Sequence, residues 1–146
     1  MPVPTIDTTT FDWVPLSPGL SFKPLNFFPD GSGYQLLLRV EPGTVIPPHR
    51  HTGDVHAFNI TGHRRIITTG DVIGPGTYVY EPVGNEDTWE AIGEEPCVVH
   101  LEANGRVEYL DDHGNVVRHT DAATARREYL AWCAEHRIEP LPQLAG

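Results

Sequence analysis

Gly43-Thr-Val-Ile-Pro-Pro-His49-Arg-His51-Thr-Gly-Asp-Val-His56-Ala-Phe-Asn-Ile-Thr-Gly62 is the stretch on which the reading of this chain turns. Pro47 and Pro48 disfavour helix, so Thr44 to His51 is expected to be extended. On a strand, residues two apart share a face, so His49 and His51 present two imidazoles side by side. A neutral imidazole is the commonest side-chain ligand of a transition metal. Thr52-Gly53 supplies a turn, and Val55 to Thr61 reads as the next strand, closed by Gly62. His56 on that strand is expected to face the same pocket as the pair.

The same alternation of strand and turn runs on both sides. Tyr34 to Val40 reads as a strand after the turn Pro29-Asp-Gly-Ser-Gly33. Arg64 to Thr69, Tyr78 to Glu81, Thr88 to Ile92 and Val98 to Glu102 follow. Val107 to Leu110 and Asn115 to Arg118 flank Asp111-Asp-His-Gly114, a hairpin signal. Short strands separated by turn residues mean a sandwich or barrel. The expected fold is therefore all-β, a single domain over 1–146. It has an N-terminal arm of little regular structure over 1–20 and a barrel over 21–118. Asp121 to His136 has neither Gly nor Pro and reads as a helix capped by Thr120 or Asp121. Its apolar face carries Ala125, Tyr129, Trp132 and Cys133 at helical spacing and is expected to pack on the barrel.

Composition narrows the function. The chain has 146 residues, 39% hydrophobic and 21% charged, enough for one domain with its own core. Its 14 Gly and 14 Pro fit turns between strands, not a helical bundle. Ten Lys and Arg stand against 20 Asp and Glu, a formal net charge of -10. That balance repels phosphate backbones and anionic lipid, so neither nucleic acid nor membrane is expected as a partner. Cys97 and Cys133 form no zinc-knuckle or redox-motif spacing. The opening residues MPVPTIDTTT have no basic region leading into an apolar run, so no signal peptide is expected. No stretch is long enough to span a membrane, and the expected location is cytoplasmic.

The motif spacing resembles a family. Gly43-x5-His49-x-His51-x4-His56-x5-Gly62 is similar to the first signature of the cupin superfamily, and Gly76-x5-Pro82-x-Gly84-x2-Asp87 to the second. The resemblance covers about residues 34 to 118 and implies a double-stranded β-helix barrel. Pro-Pro-His-Arg-His-Thr-Gly-x-Val-His-Ala-Phe with Tyr78-Val-Tyr-Glu-Pro82 is similar to dihydroxyacetophenone dioxygenase-like cupins, and more loosely to acetylacetone dioxygenase. Those enzymes use Fe(II) to cleave a carbon–carbon bond of a dicarbonyl or hydroxyketone. This sequence departs from them. The usual acid of the first motif falls at His56, and the usual histidine of the second falls at Asp87. His63-Arg-Arg-Ile-Ile-Thr68 carries no acid where the relatives tend to have one.

The resemblance implies a metal held by His49, His51 and His56, with His100 or Asp87 as fourth ligand. Hydrophobic alternation over Val98 to Glu102 points the other way for His100 and turns it outward. Glu81 matches a family glutamate near the metal, and Glu81 and Asp87 are the candidate proton acceptors. A shell of neutral histidines leaves a divalent ion most of its charge, which suits Zn2+ polarising carbonyls without redox chemistry; Fe2+ is the alternative. The departures point to a small polyketide cyclase cupin that closes poly-β-keto or aryl-ketone substrates by aldol-type chemistry. Phe58, Tyr78, Tyr80 and Trp89 are then expected to shape an apolar tunnel. The alternatives are an Fe(II) dioxygenase acting on a diketone or hydroxyaryl ketone, and a non-catalytic cupin that binds small molecules. A homodimer is expected.

Overall fold

Turn residues cut the chain into short strands that pair into two six-stranded sheets. The computed structural model describes residues 3–145; residues 1 and 2 of the expected arm, and residue 146, lie outside the described residues. The strands in chain order are β1 (Val14–Ser17), β2 (Leu20–Phe27), β3 (Gly33–Val40), β4 (Val45–His51), β5 (Val55–Thr61) and β6 (His63–Ile66). They continue with β7 (Val72–Ile73), β8 (Tyr78–Glu81), β9 (Glu86–Ile92), β10 (Cys97–Asn104), β11 (Val107–Leu110) and β12 (Val116–Thr120). One sheet has the order β1-β2-β3-β10-β5-β8 and the other β12-β11-β4-β9-β6-β7. Together they form the expected all-β barrel.

The inner faces of the two sheets meet in an apolar layer at one end. Val40, Ala57, Cys97 and Val99 from the first sheet pack with Ile46, Trp89 and Ala91 from the second, all of them buried. A second cluster sits where the barrel meets its helices. Phe22, Tyr34 and Leu36 there pack against Tyr129, Trp132 and Leu144.

A bulge in β4 sets which side chains enter the barrel. Ile46 pairs with Trp89 and His49 with Asp87, so three steps on β4 match two on β9. The extra residue falls at Pro47-Pro48, which are exposed and have no N–H to give to a ladder. A regular strand alternates its faces, so Ile46 pointing inward would send His49 and His51 outward. The bulge reverses the parity, and Ile46, His49 and His51 are all buried.

The N-terminal arm is more regular than expected. A 3-10 turn at Thr8–Thr10 is capped by the Asp7 side chain, and β1 pairs with β2. The reason is the tight turn between them, where Gly19 at φ 79° returns the chain on itself. Lys23 lies over the rings of Phe11 and Trp13, which pins the arm to β2.

The C-terminal helix α1 (Ala122–Glu135) begins at Asp121, which forms a capping box with Thr124. Ala125, Tyr129, Trp132 and Cys133 are its buried face, as the spacing predicts. A short helix α2 (Pro142–Ala145) follows and buries Leu144. Among the described residues no helix is long and apolar enough to cross a membrane.

Gly43 and Gly62 bound the histidine stretch, and both have positive φ. A side chain on Gly43 would meet nothing, whereas a Cβ on Gly62 would overlap the Pro96 carbonyl oxygen and stand 2.7 Å from Cys97 Cα. Gly43→Ala is expected to cost only the backbone strain of about 1 kcal/mol, and Gly62→Ala about 3 kcal/mol or more. Urea unfolding of the two variants beside the wild type measures the difference.

Candidate active site

Burial sorts the candidate residues into two groups. His49 on β4, His51 at its end, Glu81 on β8 and Asp87 on β9 are all buried. His49 and Asp87 are direct cross-strand partners. The His49 and His51 rings stand edge to face with centroids 5.0 Å apart. His51 Nε2 is 3.6 Å from Glu81 Oε1, just beyond hydrogen-bond length. Asn85 Nδ2 donates to that same glutamate oxygen at 3.2 Å. Backbone bonds between His51 and the Gly84-Asn85 turn, 2.8 and 3.0 Å long, hold the two segments together.

His49 has one defined tautomer. Its Nδ1 is 2.8 Å from the Pro47 carbonyl oxygen, which can only accept, so Nδ1 carries the proton. The Nε2 lone pair is then free for a ligand. Burial pushes the His49 pKa down to about 4, which keeps the ring neutral near pH 7.

His56 and His100 fall outside this group. The expectation that His56 faces the pocket fails because Val55, Ala57 and Asn59 take the inward positions of β5. His56 instead bonds the Tyr78 hydroxyl at 2.5 Å and lies 3.8 Å from Asp54 on the outer face. His100 is set between inward Val99 and Leu101, opposite outward Phe58. The expected tunnel is corrected for the same reason. Phe58, Tyr78 and Tyr80 are 44%, 55% and 51% exposed, and only Trp89 of the four is buried.

Two interior residues escape a reading by polarity. Arg64 on β6 is buried, with its guanidinium 4.9 Å from the centre of the Trp89 ring. Its Nε donates to Asn59 Oδ1 at 3.2 Å. Asn59 in turn donates to the Gly62 carbonyl. Asn59 lies between Phe58 and Ile60, so hydrophobicity alone would turn it outward; the inward parity of Val55 and Ala57 is the signal that places it. Arg64 directly follows the positive-φ Gly62 and His63, and nothing in the sequence marks it as interior.

The interior charges push one another apart. Burial would raise the Glu81 carboxyl, but His51, Arg64 and His49 outweigh it and the net shift is downward. Burial and the neighbouring Glu81 carboxylate raise Asp87 above its ordinary range. Burial also lowers Arg64, yet a guanidinium stays charged. Several buried atoms lack a hydrogen-bond partner: both ring nitrogens of His51, Asp87 Oδ1 and Arg64 Nη2. Unpartnered buried acceptors and imidazole nitrogens suit a bound cation. Among the described residues, however, no three His, Cys, Asp or Glu side chains are grouped to hold one. The donor chemistry fits a divalent ion, which would have to draw these side chains in.

His49, His51, Arg64, Glu81 and Trp89 line a cavity of about 90 Å3 inside the barrel, with Tyr109 on its wall.

The ChrR Cupin-like domain model matches residues 3–106. Among solved structures, an RmlC-like cupin protein from Ralstonia eutropha JMP134 is 25% identical, with a TM-score of 0.90 over 100% of this chain and 96% of that one. An acetylacetone dioxygenase from Acinetobacter johnsonii is 18% identical, with a TM-score of 0.77 over 90% of this chain and 92% of the other. The polyketide cyclase RemF from Streptomyces resistomycificus is 17% identical, with a TM-score of 0.59 over 89% and 98%. These last two are likenesses of fold. No curated protein sequence matches the chain.

Arg64 is a buried cation within electrostatic reach of Glu81 and Asp87. Arg64→Met is expected to destabilise the fold by about 3–5 kcal/mol at neutral pH, because it removes the buried cation that offsets them. Adding Glu81→Gln is expected to restore more than 1 kcal/mol of that loss. A double-mutant cycle in urea measures the coupling.

Proposed function

The chain belongs to the ChrR cupin-like domain family, and from that premise we propose that it is a metal-dependent enzyme that cleaves a carbon–carbon bond of a small enolisable dicarbonyl with dioxygen. One observation carries this reading: a cavity of about 90 Å3 with two imidazoles and the Glu81 carboxylate on its wall, and Asp87 paired across the strands with His49. The inner cavity is small, so beside the histidines it suits a short dicarbonyl unit better than a polycycle. That weighs against cyclisation of a poly-β-keto chain.

The proposed ligands are His49 through Nε2, His51 through a free ring nitrogen, and Asp87 through its unpartnered Oδ1. Two histidines and one carboxylate with open positions are the donor set of non-haem Fe(II) oxygenases. A histidine-rich shell favouring Zn2+ needs His56 or His100, and both lie outside the barrel wall. When bound, the metal would supply Lewis acidity toward the carbonyl oxygens and electrons for dioxygen chemistry.

The remaining residues handle proton and charge. Glu81, oriented by Asn85, takes the acidic proton between the two carbonyls as a general base. Arg64 Nη2 donates to the oxygen on which enolate charge develops. Trp89 under the guanidinium holds Arg64 in place.

Substrate-dependent oxygen uptake with a β-diketone is the expected signature, lost on chelation and restored by Fe2+. His49→Ala and Asp87→Ala are each expected to release the metal and lower turnover by at least roughly a hundredfold. His56→Ala and His100→Ala are expected to retain metal and most of the activity. Metal analysis and an oxygen electrode read these outcomes. Tightly held zinc, ring-closed product and no oxygen uptake would sink the oxygenase reading in favour of a cyclase. A ligand-induced thermal shift without turnover would favour a binding protein.

A further inference from the structure

The inner cavity adjoins a second one that the dicarbonyl chemistry leaves unused. This outer cavity, about 300 Å3, lies between β1, β2, β12 and α1. The two share Leu16, Leu20, Leu36, Tyr109 and Thr120 as walls, so they adjoin across these side chains, the outer one forming a vestibule beside the inner. Tyr109 links them: its ring is 6.0 Å from that of His49 on one side and 4.2 Å from the Arg118 guanidinium on the other.

The vestibule is basic in an acidic protein. Arg118 and Arg127 line it, two of only ten Lys and Arg in a chain of net charge -10. Both are exposed, and neither is in an ion pair among the described residues. His119 also lines it but is 3.5 Å from Asp121. Glu128 is the one carboxylate on the wall. Free guanidiniums over an apolar floor of Leu16, Leu20 and Leu36 select an anion on a short apolar linker.

We infer that the substrate carries a carboxylate which sits in this vestibule against Arg118 and Arg127, while its dicarbonyl head lies in the inner cavity. The substrate class is therefore a β-diketo acid with an apolar spacer. The carboxylate fixes which end enters first and brings a remote contact to bear on the position of the head. The two arginines also steer the acid toward the mouth against the field of the whole chain.

Succinylacetone, a β-diketone with a propionate tail, and its neutral methyl ester test this by titration calorimetry. The acid is expected to bind roughly tenfold more tightly than the ester, and less so as salt rises. Arg118→Gln and Arg127→Gln are each expected to erase most of that preference and leave ester affinity unchanged. Glu128→Gln is expected to strengthen binding of the acid. Equal binding of acid and ester, binding of neither, or a preference that survives both arginine substitutions overturns the inference. The inference rests on the barrel being a dicarbonyl site, but the two fail separately. Arginine-dependent binding without oxygen uptake removes only the oxygenase reading. Oxygen uptake with equal KM for acid and ester removes only the vestibule assignment.

Discussion

The hydrogen bond from His49 Nδ1 to the Pro47 carbonyl, 2.8 Å long, ties the backbone irregularity of β4 to the chemistry of the interior. The bulge at Pro47-Pro48 does two things at once. It shifts parity, so that Ile46 seals the apolar end while His49 and His51 enter the cavity. It also presents a carbonyl to the ring that fixes which nitrogen faces inward. Proline suits this place because a residue pushed out of the ladder needs no N–H partner. Were the same residues paired in a regular ladder, Arg50 would occupy the inward position and the imidazoles would lie outside.

Placing the histidines inside creates an electrostatic problem that Arg64 answers. Two neighbouring buried carboxylates, Glu81 and Asp87, repel in a medium of low dielectric. A guanidinium stacked on Trp89 and tied to Asn59 supplies a fixed positive charge beside them. Asn59 is held by the Gly62 carbonyl, so the glycine closing the histidine stretch also anchors the chain that positions the arginine. The balance is incomplete: one cation stands against two acids, and Asp87 Oδ1 has no partner. A further cation would complete it, which is why donor chemistry and charge point the same way although the side chains are not yet gathered.

The strand pattern was legible because Gly and Pro punctuate it, and the helix because Asp121 caps a run with helical spacing. Side-chain direction was less so. On β5 the inward positions go to Val55, Ala57 and Asn59, and the outward ones to His56, Phe58 and Ile60. An apolar–polar reading inverts the far half of that strand and draws His56 into the pocket. The same inversion affects Tyr78 and Tyr80, which flank inward Val79 and precede inward Glu81. His49 and His51 were readable as a pair, since residues two apart share a face on either side of a bulge. That the face is the inner one depends on the register with β9, which no local pattern encodes. Arg64 was hidden because a charged residue on a strand ordinarily faces water.

Removing His56 and His100 from the interior changes the chemistry the barrel can support. A shell of neutral imidazoles keeps a divalent ion strongly electrophilic, the property that cyclisation by carbonyl polarisation requires. Replacing imidazoles with a carboxylate lowers that charge and makes a reduced metal easier to oxidise, which serves dioxygen chemistry instead. The room available favours the same choice. In the proposed reading the inner cavity takes a small head, and the adjoining cavity past Tyr109 takes the rest of the molecule against Arg118 and Arg127. Division into a tight reacting chamber and a basic outer one lets binding energy from the far end of a substrate position the near end. Under the proposed function that separation would be the source of selectivity, because the small inner cavity has too few walls to discriminate alone.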